Sequence, residues 1–318
     1  MIAAAGAGRM GRGLAVAFAV AGRDVALVDL KNRDNADTYL REARAEVEST
    51  LTMLAECGLF PAADTAAHAA RVSYIAAPDA TQAMAQAEVT FEGVPETMDA
   101  KEAALSAISA ANSDAIIAST TSTILSTDLE QFVANPARFL NAHWLNPAYI
   151  IPLVELSPGD ATDPAVTKRL VDLLESLGKV PVVCKASPGF IVPRIQALAM
   201  NEAARLYEEN VASPEDIDKA TTWGLGFRFA VLGMLEFIDF GGGDILHHAS
   251  NYMADATGDD RFKAPKIIGE NMAEGRIGLR TGAGFMDYDG MDVDAYRKDR
   301  ITALIAMLRH FQDRKAAG

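Results

Sequence analysis

Residues 1–29 read MIAAAGAGRMGRGLAVAFAVAGRDVALVD, which predicts a strand, a glycine-rich turn, a helix and a second strand that ends in an acid. In the G-x-G-x-x-G turn, Gly6 allows a tight bend, Gly8 lets a pyrophosphate approach the backbone, and Gly11 lets the helix pack closely on the strand. The helix also offers free N–H groups and a positive dipole end to phosphate oxygens. This order of elements predicts a dinucleotide-binding unit. Its predicted cofactor-binding turn residues are Gly6, Gly8, Arg9, Met10 and Gly11.

Asp29 ends the second predicted strand, where a carboxylate can accept hydrogen bonds from a ribose 2′-hydroxyl. The same carboxylate repels a 2′-phosphate, which NADP carries and NAD lacks. The predicted cofactor is therefore NAD, with Asp29 as a further cofactor-binding residue.

The composition limits the possible partners. The chain has 318 residues, enough for two domains, with 29 Lys and Arg against 43 Asp and Glu and a formal net charge of −14. This excess of acid argues against nucleic acid and anionic membrane surfaces as partners, and no apolar run approaches the length of a membrane span. Cys57 and Cys184 stand alone, outside any metal-ligand spacing, which predicts buried, reduced thiols in the cytoplasm and no metal site.

Short apolar runs alternate with helical stretches through the first half of the chain. The strands predicted after Asp29 lie at 72–75, 89–91, 115–119, 139–143, 153–156 and 180–184. This alternation predicts an α/β fold with a doubly wound, mostly parallel sheet of the Rossmann type. From Phe190 onward, helical periodicity replaces the strands, and Pro and Gly residues separate the helical stretches. The predicted domains are a dinucleotide-binding domain, 1–186, and an all-helical domain, 187–318.

One histidine is placed for catalysis. Removing hydride from an alcohol carbon also requires removal of the hydroxyl proton, so a base must lie beside the nicotinamide. His143 falls at the C-terminal end of a predicted strand, where open α/β sheets bind ligands. Glu155, at the end of the next predicted strand, could fix the imidazole tautomer and leave the other ring nitrogen as the base. From the residues alone, a structural histidine is an equally good interpretation.

Several separated motifs together resemble the L-3-hydroxyacyl-CoA dehydrogenase family along nearly the whole chain. They are GAGRMG at 6–11, EGVPE at 92–96, ASTTST at 118–123, HWLNP at 143–147, PLVE at 152–155, SPGFIV at 187–192, PEDID at 214–218 and TGAGF at 281–285. Each motif alone is weak, and their order and spacing carry the resemblance. The resemblance implies NAD-dependent, reversible oxidation of an L-3-hydroxyacyl compound, and a homodimer formed through the helical domain.

The resemblance also implies roles for single residues. His143 matches the family's catalytic base, Glu155 the carboxylate that orients it, and Ser122 the serine that hydrogen-bonds the reacting oxygen. From the residues alone, Ser122 would instead be a helix N-cap and Lys101 a solvated helix position. The matches to residues that hold the cofactor are Glu96, Lys101, Asn146 and Arg280.

Two departures from the family pattern bear on the substrate. Pro193 stands where the family usually has Asn, so one polar contact to the substrate carbonyl region is missing or replaced. The long helix predicted at 33–58 carries mixed, slightly acidic charge where acyl-CoA members tend to be rich in Lys. Such a surface is unfavourable for binding a nucleotide phosphate.

A third feature points to a free acid. Residues 224–233, GLGFRFAVLG, look more like the subgroup that contains L-gulonate 3-dehydrogenase and carnitine dehydrogenase, which act on free hydroxy acids. Arg228 in this segment could bind a substrate carboxylate through two hydrogen bonds, and the alternative for it is a surface ion pair with an acid such as Glu236.

The sequence therefore leaves two substrate classes open, a 3-hydroxyacyl-CoA thioester and a free 3-hydroxy acid. An alternative from another class is a non-enzymatic NAD-binding sensor or a crystallin-like protein, which would keep the glycine turn and lose the catalytic groups. The joint presence of Ser122, His143 and Glu155 argues against it.

Overall fold

A computed structural model describes residues 1–317 of the chain, with side chains through Asp313. It divides into two compact units, one of Met1–Ala199 and one that begins at Met200. Among the residues it describes, no helix combines the length and the apolar character needed to cross a lipid bilayer.

An eight-stranded sheet forms the centre of the first unit, in the order β3-β2-β1-β4-β5-β6-β7-β8. The strands are β1 (Ile2–Ala5), β2 (Val25–Val28), β3 (Val72–Ile75), β4 (Val89–Glu92), β5 (Ile116–Ser119), β6 (Phe139–Trp144), β7 (Leu153–Pro158) and β8 (Val180–Val183). Strands β1 to β6 run parallel, β7 is antiparallel to β6, and β8 is parallel to β7. The order of the first six strands is the one used by dinucleotide-binding sheets. The predicted doubly wound, mostly parallel sheet is confirmed.

Helices cover both faces of this sheet because successive strand residues point to opposite sides. In β1, Ile2 and Ala4 pack into one apolar cluster with α1, α2 and α7, whereas Ala3 and Ala5 pack into another with α4 and α5. The helices of this unit are α1 (Arg9–Val20), α2 (Ala36–Glu56), α3 (Thr65–Ala69), α4 (Ala80–Ala85), α5 (Met98–Ala111), α6 (Ser126–Leu129) and α7 (Pro164–Ser176). Helix α8 (Val192–Glu208) begins in this unit and ends in the second. A sheet buried on both faces leaves its edges and strand ends for ligands.

The second unit is built from helices, which confirms the predicted change of pattern. Ser213 caps the first of them, since its Oγ accepts a hydrogen bond from the backbone N–H of Asp216 at 3.1 Å. Gly242, at φ +107°, separates two others where the glycine run predicts a break. The helices are α9 (Pro214–Ala220), α10 (Phe227–Phe229), α11 (Met234–Gly241), α12 (Gly243–Thr257), α13 (Lys266–Ala273) and α14 (Val293–Ala317).

Candidate active site

The antiparallel pairing of β6 with β7 builds the centre of the site. In this ladder His143 lies directly opposite Glu155, so both side chains project from the same face of the sheet. Nδ1 of His143 is 2.7 Å from Oε2 of Glu155, and both residues are buried. The prediction that Glu155 ends its strand is wrong: β7 continues to Pro158, and its reversed direction brings its beginning beside the end of β6.

The start of α8 holds the second oxygen of Glu155. The backbone N–H groups of Ile191 and Val192 donate to Oε1 at 2.9 and 2.8 Å. Hydrogen bonds to a charged acceptor are the strong ones, so the carboxylate is fixed at both oxygens. This arrangement keeps one face of the dyad rigid and leaves Nε2 of His143 to meet a substrate proton.

Phe190 packs against His143, a contact that the sequence analysis missed. Its ring is parallel to the imidazole within 8°, with the ring centroids 5.3 Å apart. Phe190 adopts φ +46°, a left-handed conformation that costs a non-glycine residue about 1–3 kcal/mol and persists only where its surroundings impose it. The stacked ring fixes the plane of the imidazole. The only sequence signal was its place in the SPGFIV motif.

Glu96 organises the turn that carries Ser122. Its Oε1 accepts hydrogen bonds from Thr121 Oγ1 at 2.5 Å, Ser122 N at 2.8 Å and Thr123 N at 3.0 Å. Burial raises the pKa of Glu96, but the hydrogen bond from Thr121, the charge of Lys101 and the two backbone N–H groups outweigh it and lower the pKa to about 2. Glu96, which the resemblance implies to be a cofactor-binding residue, therefore also shapes the turn after β5.

This lowered pKa predicts acid sensitivity. Unfolding returns the pKa of Glu96 to about 4.5, so its contribution to the free energy of unfolding is present above pH 4.5 and is lost as the pH falls toward about 2. Glu96→Gln is expected to flatten this part of the stability profile, measured by urea unfolding at stepped pH. Glu56→Gln, at an exposed carboxylate of α2, is the matched control. Equal slopes in the two variants would contradict the prediction.

Lys101 lies beneath this turn with its side chain only 1% exposed. Its Nζ donates to both oxygens of Glu92 at 3.0 Å and lies 3.3 Å from Oε2 of Glu96. Glu92 is fully buried and also accepts hydrogen bonds from Val94 N at 2.7 Å and Ser119 Oγ at 2.5 Å. The structure therefore brings Lys101 together with Glu96, as the resemblance requires, but encloses its ammonium group. The sequence analysis did not single out Glu92.

The glycine turn has the shape that a dinucleotide requires. At Gly6, φ +117°, an added Cβ would lie 2.7 Å from the carbonyl oxygen of Gly93, and at Gly11 it would lie 1.9 Å from that of Gly6. These two positions need glycine for close packing. A Cβ at Gly8 would meet nothing within 4 Å, so this backbone faces open space. The turn therefore fits a pyrophosphate approaching at Gly8.

Asp29 lies beside this turn, in a cavity of about 150 Å³ that Gly6 and Gly8 also line. Its carboxylate accepts hydrogen bonds from Arg33 Nε at 2.6 Å and from the backbone N–H of Lys31 at 3.2 Å. The guanidinium of Arg33 in turn lies 3.9 Å from the ring centroid of Tyr39. The acid is therefore held in place at the position that a ribose 2′-hydroxyl would reach.

This arrangement predicts cofactor preference. A 2′-phosphate would meet the Asp29 carboxylate, and like charges in contact cost several kcal/mol, so kcat/KM is expected to favour NAD over NADP by about 10². Asp29→Ser should shrink this ratio, because Lys31 and Arg33 remain to attract the phosphate. Asp24→Ser, at an exposed acid before β2, is the control. Equal kcat/KM for the two cofactors in the unmodified enzyme would show that Asp29 does not face the ribose.

A larger cavity of about 380 Å³ opens at the ends of β4, β5 and β6. His143 lines it together with the predicted oxygen-binding Ser122. Five other predicted site residues also line it: Gly8, Arg9, Met10, Glu96 and Asn146. The predicted base, the predicted oxygen-binding serine and the glycine turn thus surround one space, an arrangement that suits hydride transfer from an alcohol carbon.

Two predicted residues belong to the second unit and have partners there. Arg280 pairs with Asp244 at 2.8 Å. Arg228 donates from Nε to the carbonyl oxygen of Gly224 at 2.8 Å, and its guanidinium lies 4.7 Å from the Phe237 ring centroid. The alternative expected for Arg228, an ion pair with Glu236, is not formed. Glu236 pairs instead with Arg300, whose Nε lies 2.8 Å from its Oε1. Within the described residues, no three His, Cys, Asp or Glu side chains are grouped to hold a metal ion.

Comparison with known proteins finds one family over most of this chain. Residues 1–187 match the NAD-binding domain of the 3-hydroxyacyl-CoA dehydrogenase family, and residues 189–288 match its C-terminal domain. A Mesorhizobium japonicum protein named 5-formyl-3-hydroxy-2-methylpyridine 4-carboxylate 5-dehydrogenase is 32% identical over 317 residues, 99% of each chain. A Clostridioides difficile 3-hydroxybutyryl-CoA dehydrogenase is 27% identical over 91% of this chain and 99% of its own.

A solved structure of this family has the same fold as this chain. The crystal structure of an Archaeoglobus fulgidus 3-hydroxyacyl-CoA dehydrogenase superposes with a TM-score of 0.76, at 28% identity, over 96% of this chain and 98% of its own. The resemblance in the sequence motifs and the NAD prediction are thereby confirmed. The chain belongs to the 3-hydroxyacyl-CoA dehydrogenase family and is an NAD-dependent oxidoreductase.

Proposed function

We propose that the protein oxidises the secondary alcohol of an L-3-hydroxyacyl compound to the 3-keto product, reversibly. The observation that supports this most is the buried His143–Glu155 pair, 2.7 Å apart, in a cavity that Ser122 and the glycine turn also line. The Clostridioides difficile and Archaeoglobus fulgidus relatives are named for CoA thioesters, which makes a 3-hydroxyacyl-CoA the first substrate class.

Each group of the dyad has a distinct task in this reaction. NAD, when bound, supplies the hydride acceptor. The carboxylate of Glu155 at Nδ1 favours the tautomer whose Nε2 is basic, so Nε2 of His143 accepts the hydroxyl proton. The same carboxylate then stabilises the imidazolium that forms, as in other acid–histidine pairs. Ser122 donates a hydrogen bond to the reacting oxygen, and Phe190 keeps the imidazole plane fixed.

The residues of the first unit would also hold the cofactor. The turn at Gly8 would receive the pyrophosphate, Asp29 the adenosine ribose, and Asn146 with Glu96 the nicotinamide end. An NADH-formation assay over a panel of L-3-hydroxyacyl-CoA thioesters and free L-3-hydroxy acids tests the proposal. We expect turnover with at least one of them and none with the D enantiomers. Absence of turnover with the whole panel would overturn it.

A free 3-hydroxy acid is the second candidate substrate. The Mesorhizobium japonicum relative, which spans 99% of both chains, is named for a pyridine carboxylate that carries no CoA. The charges of α2 agree with this candidate, because Glu42, Glu46 and Glu48 accompany its two arginines Arg41 and Arg44. A helix of this composition gives no net attraction to the phosphates of CoA.

Arg228 provides a prediction that separates the two classes. If the substrate ends in a carboxylate that Arg228 binds, Arg228→Met loses a charged hydrogen bond of about 1.5–3 kcal/mol, and KM for the free acid rises about ten- to hundred-fold. Activity on a CoA thioester should stay the same, because no carboxylate is present there. Steady-state kinetics on both substrates measure this, with Arg309→Met at an exposed position of α14 as control. Efficient thioester turnover that ignores Arg228 would contradict the free-acid assignment.

We further propose that two copies associate through residues 187–318, and that residues 1–186 bind the cofactor. Large apolar side chains of the helical part are exposed in the single chain, among them Tyr207 (59%), Val211 (63%), Ile245 (63%) and Tyr252 (73%). Exposed apolar area of this kind is typical of protein interfaces. Light scattering behind size exclusion would report a dimer, and a monomer at micromolar concentration would exclude this proposal.

The proposed location is the cytoplasm. The expectation that both cysteines are buried is wrong, since Cys57 is exposed and Cys184 is half-buried; neither forms a disulfide. Burial and the nearby charge of Glu155 raise the pKa of the Cys184 thiol, which keeps it protonated and unreactive. Reduced thiols are usual in that compartment. Localisation of a tagged chain in its own host tests the proposal.

A further inference from the structure

We propose that Asn141 is a positioning residue, which ties the turn that carries Ser122 to the strand that carries His143. This inference rests on the proposed alcohol oxidation, in which both of those side chains meet the same substrate oxygen. Three features of the first unit support it: a row of buried polar side chains beneath the site, the hydrogen bond from Asn141 to the turn, and an amide oxygen to which no described residue donates.

The polar row lies on a largely apolar face of the sheet. Ile117 and Phe139, on the same face, pack into the apolar cluster with α4 and α5. The row consists of four side chains that pair in register and are 0% exposed: Glu92 of β4, Ser119 of β5, Asn141 of β6 and Ser157 of β7. Because residues two positions apart in a strand share a face, His143 follows Asn141 on this face. The row therefore lies directly beneath the candidate catalytic groups.

Asn141 holds the middle of the turn that follows β5. Its Nδ2 donates a hydrogen bond to the carbonyl oxygen of Ile124 at 2.9 Å. The backbone N–H of Ile124 donates to Thr121 Oγ1 at 3.0 Å, and that hydroxyl in turn donates to Glu96. Ser122 lies between these anchors, so Glu96 holds the turn from the cavity and Asn141 holds it from the sheet.

Other members of the polar row hold the two ends of the same turn. Ser119 Oγ accepts a hydrogen bond from the backbone N–H of Thr121 at 3.3 Å, where the turn begins. Ser157 Oγ lies 3.4 Å from the hydroxyl oxygen of Ser126, where the turn ends and α6 begins. With Asn141 at its middle, the turn is therefore attached to β5, β6 and β7 at successive points.

Stability alone does not favour an amide at this position. Oδ1 of Asn141 is buried, and no residue that the structure describes donates a hydrogen bond to it. A buried acceptor without a partner lowers the free energy of unfolding relative to an apolar group of the same shape. Leucine has a similar size and would avoid this cost, but it would lose the hydrogen bond to the turn. The donor group of Asn141 is thus what distinguishes it from an apolar residue of β6.

The proposed oxidation makes the attachment of the turn important. Nε2 of His143 must reach the hydroxyl proton while Ser122 Oγ donates to the same oxygen, and both residues line one cavity. Glu155 and Phe190 fix the imidazole, so the geometry at the oxygen depends on where the turn holds Ser122. A displacement of about 1 Å near the reacting groups can lower the rate about a hundredfold. We therefore expect Asn141 to affect the rate through Ser122.

Hydrogen exchange measures this attachment without any substrate. Exchange of the backbone amides of residues 120–126 is followed by mass spectrometry in the unmodified protein and in Asn141→Leu. We expect the turn to exchange about tenfold faster in the variant and the amides of β1 and β2 to exchange at the same rate. Asn135→Leu is the matched control, because it removes a like hydrogen bond to the carbonyl oxygen of Ser113, at 3.2 Å, before the same two strands begin. Asn141→Ala replaces the leucine variant if that variant does not fold.

Kinetics then test whether the effect passes through Ser122. The value of kcat is measured with L-3-hydroxybutyryl-CoA and with L-3-hydroxybutyrate as probes. We expect Asn141→Leu to lower kcat about ten- to hundred-fold and to leave KM for NAD unchanged, whereas Asn135→Leu should behave as the unmodified protein. In a Ser122→Ala background, Asn141→Leu should cause no further loss, because the group that it positions is already absent.

The contrary outcomes are distinct. Unchanged exchange in residues 120–126 would show that Asn141 does not hold the turn. Equal losses of kcat with and without the Ser122 hydroxyl would show a general distortion of the sheet. Either result overturns the proposal. If the turn exchanges faster in Asn141→Leu while no 3-hydroxy compound forms NADH with the unmodified protein, the attachment of the turn stands and the proposed oxidation fails.

Discussion

His143→Gln is expected to lower kcat by about 10² to 10⁴, the usual contribution of a general base. Glutamine keeps an amide near the position of the imidazole but cannot accept the hydroxyl proton at Nε2. The affinity for NAD should not change, because Gly6, Gly8 and Asp29 line a cavity to which this side chain does not contribute. The loss should therefore appear equally in kcat and kcat/KM, as expected for an interaction made only in the transition state.

Two variants make this result interpretable. Glu155→Gln keeps a hydrogen-bond acceptor for Ile191 and Val192 but removes the charge that stabilises the imidazolium. Its loss of activity should be smaller, and its pH–rate profile should move. His68→Gln is the matched control, since His68 packs against Phe60 with ring centroids 4.5 Å apart and takes no part in the site. Near-normal turnover by His143→Gln would refute the mechanism.

The sequence predicted the parts of this site that depend on local pattern. The strand ends at Asp29 and His143 follow from apolar runs, and the glycine turn follows from spacing. The contact between His143 and Glu155 was also proposed from the sequence, as one of two interpretations. Its geometric cause was not, because the direction of β7 depends on how the connection after Trp144 folds back on the sheet.

The sequence did not predict the residues whose role depends on contacts between distant parts of the chain. Phe190 stacks on His143 although 47 positions separate them, and no local pattern reports such a contact. Glu92 reads as the last residue of an apolar strand, and only the fold shows it buried between Lys101 and Ser119. In each case the information lies in tertiary packing.

Lys101→Met is expected to lower the free energy of unfolding by about 3–5 kcal/mol. The side chains of Lys101 and Glu92 are 1% and 0% exposed, so the change would leave the carboxylate buried without its cation. Such a loss is a large part of the total stability of an ordinary domain, about 5–15 kcal/mol. Urea unfolding followed by circular dichroism measures it. Lys168→Met, which breaks an exposed pair with Asp172, should cost less than about 1 kcal/mol.

A double variant decides between a structural and a cofactor role for Lys101. Adding Glu92→Gln to Lys101→Met removes both buried charges, while the amide oxygen can still accept from Val94 N and the amide NH2 can donate to Ser119 Oγ. Most of the lost stability should return, because the cost arises from one unpaired charge and not from the absence of the pair. If Lys101→Met fails to fold alone, recovery in the double variant still supports this account. Unchanged stability with weakened NAD binding would instead assign Lys101 to the nicotinamide ribose, because its ammonium group would then serve the ligand rather than Glu92.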